Sequence, residues 1–532
     1  HERETPTVVG LLWTAVLRVM VRLLQVLLFQ HLLRGVASTP LPLWPMPKYV
    51  TQAGAGGVVL ASNWRCAVDI PGYSSEILQK ACVRYKEYIA QARDLVVEQF
   101  PLATTVNSVQ VAVDQAENDT MLGLETNETY ALLVDNESIR IHAANVFGAL
   151  RALETFSQIV TSQMSVLAVT IQDTPRFPHR ELLVDTARYF FNTSFLEHII
   201  DSMSFSKLNV LHWHAIDSQS FPIDSTKYPL LSEKGQFKPH SHFCASSSCS
   251  YTSEDIQQLI AYARDRGIRI VLEVDTPGHS KSWGNAYHNM TVNYCTLNAD
   301  SVPLDVTKAF TLDVVTGFLL EMTGKADNSL FTDKWTHLGG DEVDFSCWEK
   351  DEAIASYMAQ HNLTAGALLS QWLQQVRSRL QVKNVLYWED AYNYSVAANG
   401  SEGTIFQVWR DSNTLQSIAA EGSQCTLHAG WYIHAKSKWT DFYDNEPYAG
   451  TWRGGDKKNV KGGGVSFWGC SGFCPFPFTA EAFDPRTWPV AAAAAERLWS
   501  PEHVADHASA MPRLTAHRER LLMRGVRCSA LR

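Results

Sequence analysis

The 532-residue chain has no Cys-x-x-Cys pair, no internal repeat and no low-complexity tract. The first absence removes zinc-ribbon and dithiol redox motifs. There is no basic cluster either: 45 Lys and Arg lie scattered against 55 Asp and Glu, for a net charge of −10. A nucleic-acid partner is therefore excluded as a reading. No Gly-rich phosphate loop follows the first strand-like run of the large C-terminal region, so an open doubly wound sheet is the lesser fold reading. What is abundant is tryptophan, 16 residues of it, dispersed and often at predicted strand ends.

The N-terminus stands apart. Val8–Leu33 is mostly apolar and runs into "RGVASTP", where Gly35 and Ala37 would suit cleavage after Ala37. Arg18, Arg22 and Gln25 share one helix face, as in an interfacial amphipathic helix. Residues 1–42 read as a secretory leader or signal anchor with a proline-rich linker. An amphipathic surface helix or a non-native leader is the alternative. As an anchor, residues 8–33 would attach the chain to a membrane. A secretory route also fits the eight Asn-x-Ser/Thr sequons, at Asn118, Asn127, Asn136, Asn192, Asn289, Asn362, Asn393 and Asn399. Among ten cysteines, Cys244/Cys249 and Cys470/Cys474 read as loop-stapling disulfides, and Cys66/Cys82 is plausible from spacing. Free core thiols are the alternative.

Residues 43–174 read as a small α+β domain. Within it "YALLVDNESIRIHAANVFGALRALETFSQIV" holds two short alternating strands around a turn, then a helix from about Ala143. Residues 175–532 alternate strand-like and helical runs: "RELLVDTA", "LNVLHWHAI", "IRIVLEVD", "WTHLGGDEV", "NVLYWEDA", "GTIFQVWR", "CTLHAGW" and "GGGVSFWG". Helices such as "TSFLEHIIDSMSFSK", with a Thr/Ser cap, and "TSEDIQQLIAYARDRG", with a Gly stop, fit between them. Eight such units predict an α/β fold, a (β/α)8 barrel.

Chemistry in that fold sits at the C-terminal strand ends. There the sequence collects Asp185 and Arg188; His212, His214 and Asp217; Glu273, Asp275 and His279; Asp341, Glu342 and Asp344; Trp388, Glu389 and Asp390; Trp409; Trp431 and Tyr432; and Trp468. Acids, imidazoles, an arginine and many rings suit a carbohydrate site. The His212-x-His214 pair, with His279 and Asp341, offers a second reading as a Zn²⁺ hydrolase.

"HWHAIDSQSFP", "EVDTPGH", "HLGGDEVDFSCW" and "RTWPVAAAAAERLWS" together resemble the β-N-acetylhexosaminidases of glycoside hydrolase family 20, in their eukaryotic branch, from about Leu43 to the C-terminus. The resemblance implies an exo-enzyme without a cofactor. It would remove terminal non-reducing β-linked GlcNAc or GalNAc with retention, the substrate's own acetamido oxygen attacking the anomeric carbon to form an oxazolinium. It implies Glu342 as general acid/base and Asp341 as the carboxylate that orients the acetamido group. Arg188 would bind ring hydroxyls, and Trp388, Trp409 and Trp468 would wall the acetamido pocket. Tyr432 would hydrogen-bond the acetamido oxygen, and Asp217 and His279 would form a relay behind Glu342. It further implies a Cys295–Cys347 disulfide, a homodimer, and a lysosomal, vacuolar, extracellular or membrane-anchored setting. The pKa of Glu342 is expected to be raised by Asp341 and by burial. His434 and Cys470 stand where the family carries polar contacts to outer sugar hydroxyls, and Ser218 replaces a second acid after Asp217. Cys470 either serves that site or bonds Cys474. His434 could favour an anionic substituent such as a sulfate. These departures leave a catalytically weak or inactive glycan-binding protein on the same fold as an alternative.

Overall fold

The computed structural model describes residues 41–70, 74–91, 104–114, 122–292, 295, 302–324, 329–394, 402–436, 438–450, 452, 456–469 and 479–531. Of the leader and linker expected at residues 1–42, residues 1–40 lie outside the described residues. None of the described helices is long and apolar enough to cross a membrane.

The small domain is built on five strands: β1 (Tyr49–Asp69), β2 (Thr104–Val113), β3 (Tyr130–Val134), β4 (Ile139–Ala143) and β5 (Ser165–Asp173). They run in the order β1-β2-β4-β3-β5, and β5 pairs back onto β1, so the mixed sheet closes on itself. β3 and β4 are the two strands read from the sequence, and their side chains alternate between core and surface. Asp135 makes the turn between them, its Oδ1 accepting the N–H groups of Glu137 and Ser138. The following helix spans Val146–Ile159, starting later than expected because Asn145 caps it, accepting from the N–H groups of Phe147 and Gly148. A second helix, Glu76–Ala90, is tied to β1 by Cys66–Cys82.

The second sheet is a closed barrel of eight parallel strands: β6 (His179–Asp185), β7 (Val210–His214), β8 (Arg269–Glu273), β9 (Trp335–His337), β10 (Asn384–Trp388), β11 (Thr404–Val408), β12 (Gln424–Leu427) and β13 (Val460–Phe467). All eight runs named above form a strand. Helices return the chain between strands, for example Thr193–Phe205 and Ser253–Arg264. The first is capped by Asn192, not by the Thr or Ser expected, since the Asn192 side chain accepts the Phe195 N–H. The second carries a reciprocal capping box between Thr252 and Asp255 and stops before Gly267 at φ +68°.

Buried ions join the two sheets. Glu128 sits between Arg151 and Arg180 at 2.8 and 2.5 Å. Lys207 donates to Asp173 and Tyr130. Six charged or phenolic groups thus leave water together, each against a partner.

Candidate active site

The chain leaves β9 at His337, so Asp341 and Glu342 are not strand residues and need not point to opposite faces. Gly339, Gly340 and Glu342 have φ of +64°, +95° and +47°. Glycine is required at 339: a Cβ there would lie 1.8 Å from Asp275 Oδ1. Glu342 and His279 (φ +48°) are non-glycine residues in left-handed backbone, a strained conformation that concentrates at functional sites. This turn aims both carboxylates at the barrel mouth. Asp341 is largely enclosed, its side chain 12% exposed, whereas that of Glu342 is 47% exposed.

His279 stands between the acids and the barrel wall. Its Nε2 lies 3.4 Å from Glu342 Oε2 and 3.9 Å from Asp341, and its Nδ1 is 3.0 Å from Asp217. Asp217 Oδ2 also meets Arg188 at 2.5 Å and His214 at 3.1 Å. Its Oδ1 accepts the Ser218 N–H at 2.6 Å. Asp185 steadies Arg188, accepting its backbone N–H and pairing with its guanidinium at 3.0 Å. Burial opposes a charge on His279, but Asp217 and then Glu342 raise its pKa well above that of a free imidazole. Burial also opposes the Asp217 carboxylate, yet Arg188 and His279 hold it well below the usual range.

The expected pKa of Glu342 is corrected here. It is lowered, first by its hydrogen bond to His279, against a smaller burial penalty. Asp341 does not repel it as anticipated, because Asp341 is itself pushed well above the carboxylate range by burial and then by Asp275. Asp275 is raised to about 7, chiefly by burial. Burial thus favours the neutral form of both carboxyls, whereas His279 favours the charged form of Glu342.

The rings frame the same mouth. Trp388, 1% exposed, forms its floor; its backbone N–H donates to Gly339 and its indole N–H to Glu273 Oε1 at 2.6 Å. Trp468 packs against Trp388 at 5.9 Å and under the Arg188 guanidinium at 5.5 Å. Trp409 donates its indole N–H to Asp390, and Arg410 lies over its ring at 4.3 Å while pairing with Glu389 and Asp390. Burial is the first cause that raises the Tyr432 phenol, with the Asp341 carboxyl a further one. His434 meets Tyr432 edge-on at 5.4 Å, and desolvation lowers its pKa, which works against the cationic role considered for it.

Not every strand-end residue belongs to the mouth. Asp344 caps the helix Phe345–Lys350. His212 is fully buried below, between Glu181 at 2.8 Å and Glu273 at 2.9 Å. Both of its ring nitrogens are thus taken by acids, as are those of His214 by Glu273 and Asp217. That is a poor start for the Zn²⁺ reading, whose ligands need a free imidazole lone pair. Donor atoms do approach one another in three groups among the described residues, His212–Glu273–His337, Asp275–His279–Asp341 and Cys295–Asp344–Cys347, the last of which holds a disulfide. Arg410 and Glu181 escaped the sequence reading. Arg410 could have been found as the residue after Trp409 at a strand end, whereas Glu181 looks like any mid-strand position. Cys66–Cys82, Cys244–Cys249 and Cys295–Cys347 are disulfides, and Cys425 and Cys528 are buried free thiols. Cys470, Cys474, Asn118 and Asn399 lie outside the described residues. The other six sequon asparagines are all exposed.

A barrel mouth that sets paired carboxylates among indole rings can hold a sugar face and protonate its glycosidic oxygen, which is the work of a glycoside hydrolase. The chain belongs to glycosyl hydrolase family 20: the family's catalytic-domain profile matches residues 177–502, and a profile described as beta-acetyl hexosaminidase like matches residues 43–159. It is 34% identical to the beta-hexosaminidase subunit beta of Mus musculus, over 92% of both chains. It is 35% identical to that of Homo sapiens, over 93% of this chain and 90% of the relative. Among solved structures it resembles the chitobiase of Flavobacterium johnsoniae with a TM-score of 0.78 and 26% identity, covering 91% of this chain and 73% of that one. An exo beta-N-acetylglucosaminidase from Vibrio harveyi, at 22% identity, shares the fold with a TM-score of 0.76, over 94% and 80%.

Proposed function

We propose that the protein removes terminal β-linked GlcNAc or GalNAc from the non-reducing ends of glycans, with a catalytic domain at 175–532 and the small domain at 43–174. The observation that carries this reading is the turn after β9, which holds Asp341 and Glu342 side by side within reach of His279. The two acids serve two groups on adjacent sugar carbons. Asp341 accepts the N–H of the 2-acetamido group and turns its oxygen toward the anomeric carbon. Glu342 gives a proton to the departing glycosidic oxygen, then takes one from water as the oxazolinium opens.

In the free site Glu342 is ionised against His279. A sugar over its half-exposed side chain excludes water and favours the neutral acid, and His279 carries a proton 3.4 Å away. Arg188 grips ring hydroxyls, Trp388, Trp409 and Trp468 enclose the acetamido methyl, and Tyr432 donates to the acetamido oxygen. Three disulfides and six exposed sequons favour a secretory setting. Hydrolysis of chromogenic β-GlcNAc and β-GalNAc glycosides tests the reading. The wild type is expected to cleave at least one, and Glu342→Gln to lose about 10²- to 10⁴-fold in kcat/KM, the usual worth of a general acid. A folded wild type inert on both would overturn it.

A further inference from the structure

Glu273, at the end of β8, has no direct hydrogen bond or ion pair to the catalytic pair, yet it is among the most heavily engaged carboxylates in the barrel. It is fully buried and meets His214 Nδ1 at 2.5 Å, Trp388 Nε1 at 2.6 Å, His212 Nε2 at 2.9 Å and His337 Nδ1 at 3.2 Å. Two of these contacts lead to the active site by separate routes. Through His214 it reaches Asp217, the common anchor of Arg188 and His279. Through Trp388 it fixes the floor whose backbone N–H is held by Gly339, beside Asp341.

We propose that Glu273 is a positioning residue for the hexosaminidase reaction: its carboxylate locks His214 and Trp388 in place, and its buried negative charge adds to the cost of charging the Asp341–Asp275 pair. This rests on the function proposed above. The carboxylate lies two residues before Asp275 on the same strand end, and Asp275 Oδ1 in turn accepts the Gly340 N–H at 2.9 Å. All three carboxyls are buried, so a negative charge on Glu273 opposes further negative charge on Asp275 and Asp341. Both pKa values are indeed raised, burial being the first cause and Glu273 a further one.

The neighbours decide how strongly that charge acts. Glu273 faces His212 and His214 on β7 and His337 on β9. His212 also faces Glu181; its pKa reaches about 10 despite burial, because both acids oppose that penalty. His214 also faces Asp217 and Arg188 and reaches about 9 against the same penalty. His337 stays low, through burial. Asp341 faces Asp275, His279 and Asp390, with Glu342, Arg410 and Tyr432 nearby. Glu181, His212, Glu273, His214, Asp217 and His279 therefore form a buried series of alternating sign ending at Glu342.

The sign follows. Asp341 must be anionic to accept the acetamido N–H and Glu342 neutral to donate; because the pair titrates above Glu342, the pair sets the basic limb of kcat/KM. Glu273→Gln keeps the shape and removes the charge, and should move the basic limb to lower pH by at least about half a unit. His212→Gln removes a cation from the far side of Glu273, leaves its charge less screened, and should move the same limb to higher pH. The experiment is the pH profile of kcat/KM on a chromogenic β-GlcNAc or β-GalNAc glycoside for the wild type and both variants. Opposite displacements support the inference. Uniform loss of activity with unmoved limbs, or displacement in the same direction, overturns it. If Glu273→Gln does not fold, an unmoved or downward-moving limb in His212→Gln alone is sufficient to reject it. A wild type inactive on both glycosides would fail the function itself, which is a different result.

Discussion

His279 holds Glu342 ionised in the free protein, and that fact has a direct consequence for pH. The Glu342 pKa is depressed by a hydrogen bond from a protonated imidazole, so the neutral acid in free enzyme is confined to the acidic side. Replacing His279 with Gln removes the cation and lets the Glu342 pKa rise. Because Glu342 titrates below the Asp341–Asp275 pair, it sets the acid limb of kcat/KM, which should then move to higher pH while kcat falls, since Asp217 and Glu342 lose the group that spans them. A pH–rate profile checks this; an acid limb that stays or moves down would contradict the assignment. The position of this acid was legible in "HLGGDEVDFSCW", but its ionisation was not. Sequence adjacency of Asp341 suggested repulsion, whereas burial keeps Asp341 uncharged and a histidine 63 positions upstream supplies the nearest charge.

The barrel strands were readable because strands buried on both faces appear as continuous apolar runs between helical patterns. The small domain was less so: β3 and β4 alternate throughout and β2 only over Val109–Val113, and the long β1 is held as a strand by pairing with β2 and β5 across long sequence gaps. The inward residues of the barrel were visible but their meaning was not. His212 and Glu181 look like misplaced polar residues until closure brings β6, β7 and β8 side by side. At this scale Asn192 has two roles, helix cap and exposed sequon residue. Asn192→Ala should lower stability by about 1 kcal/mol, whereas Asn192→Asp, which keeps the acceptor but removes the sequon, should cost much less. Unfolding midpoints of unglycosylated variants measure the difference; equal losses would show that the cap is not what matters.

The small domain and the barrel are locked by charges that left water together. Among the described residues Glu128 is the one carboxylate that pairs with both Arg151 and Arg180, so Glu128→Ala leaves two buried guanidinium groups without it and should cost about 3–5 kcal/mol. Although burial works against its charge, the two arginines hold the Glu128 pKa below its ordinary value. A depressed folded-state pKa means that this contribution is present above the unfolded-state pKa and is lost as pH falls through the folded one. The junction therefore keeps its strength at the mildly acidic pH where Glu342 is increasingly protonated. Denaturant unfolding at pH 5 and pH 3 should show the Glu128→Ala penalty shrinking at the lower pH; a constant penalty would contradict the linkage.

The central claim is that the substrate's acetamido oxygen, oriented by Asp341, is the nucleophile. It is tested most directly by kcat/KM along a series of aryl β-glycosides whose N-acetyl group carries zero, one, two and three fluorines. Fluorine drains electron density from the attacking oxygen with little change in size, so the rate should fall steeply with each substitution. A rate indifferent to fluorination would contradict acetamido participation and require a nucleophile supplied by the protein.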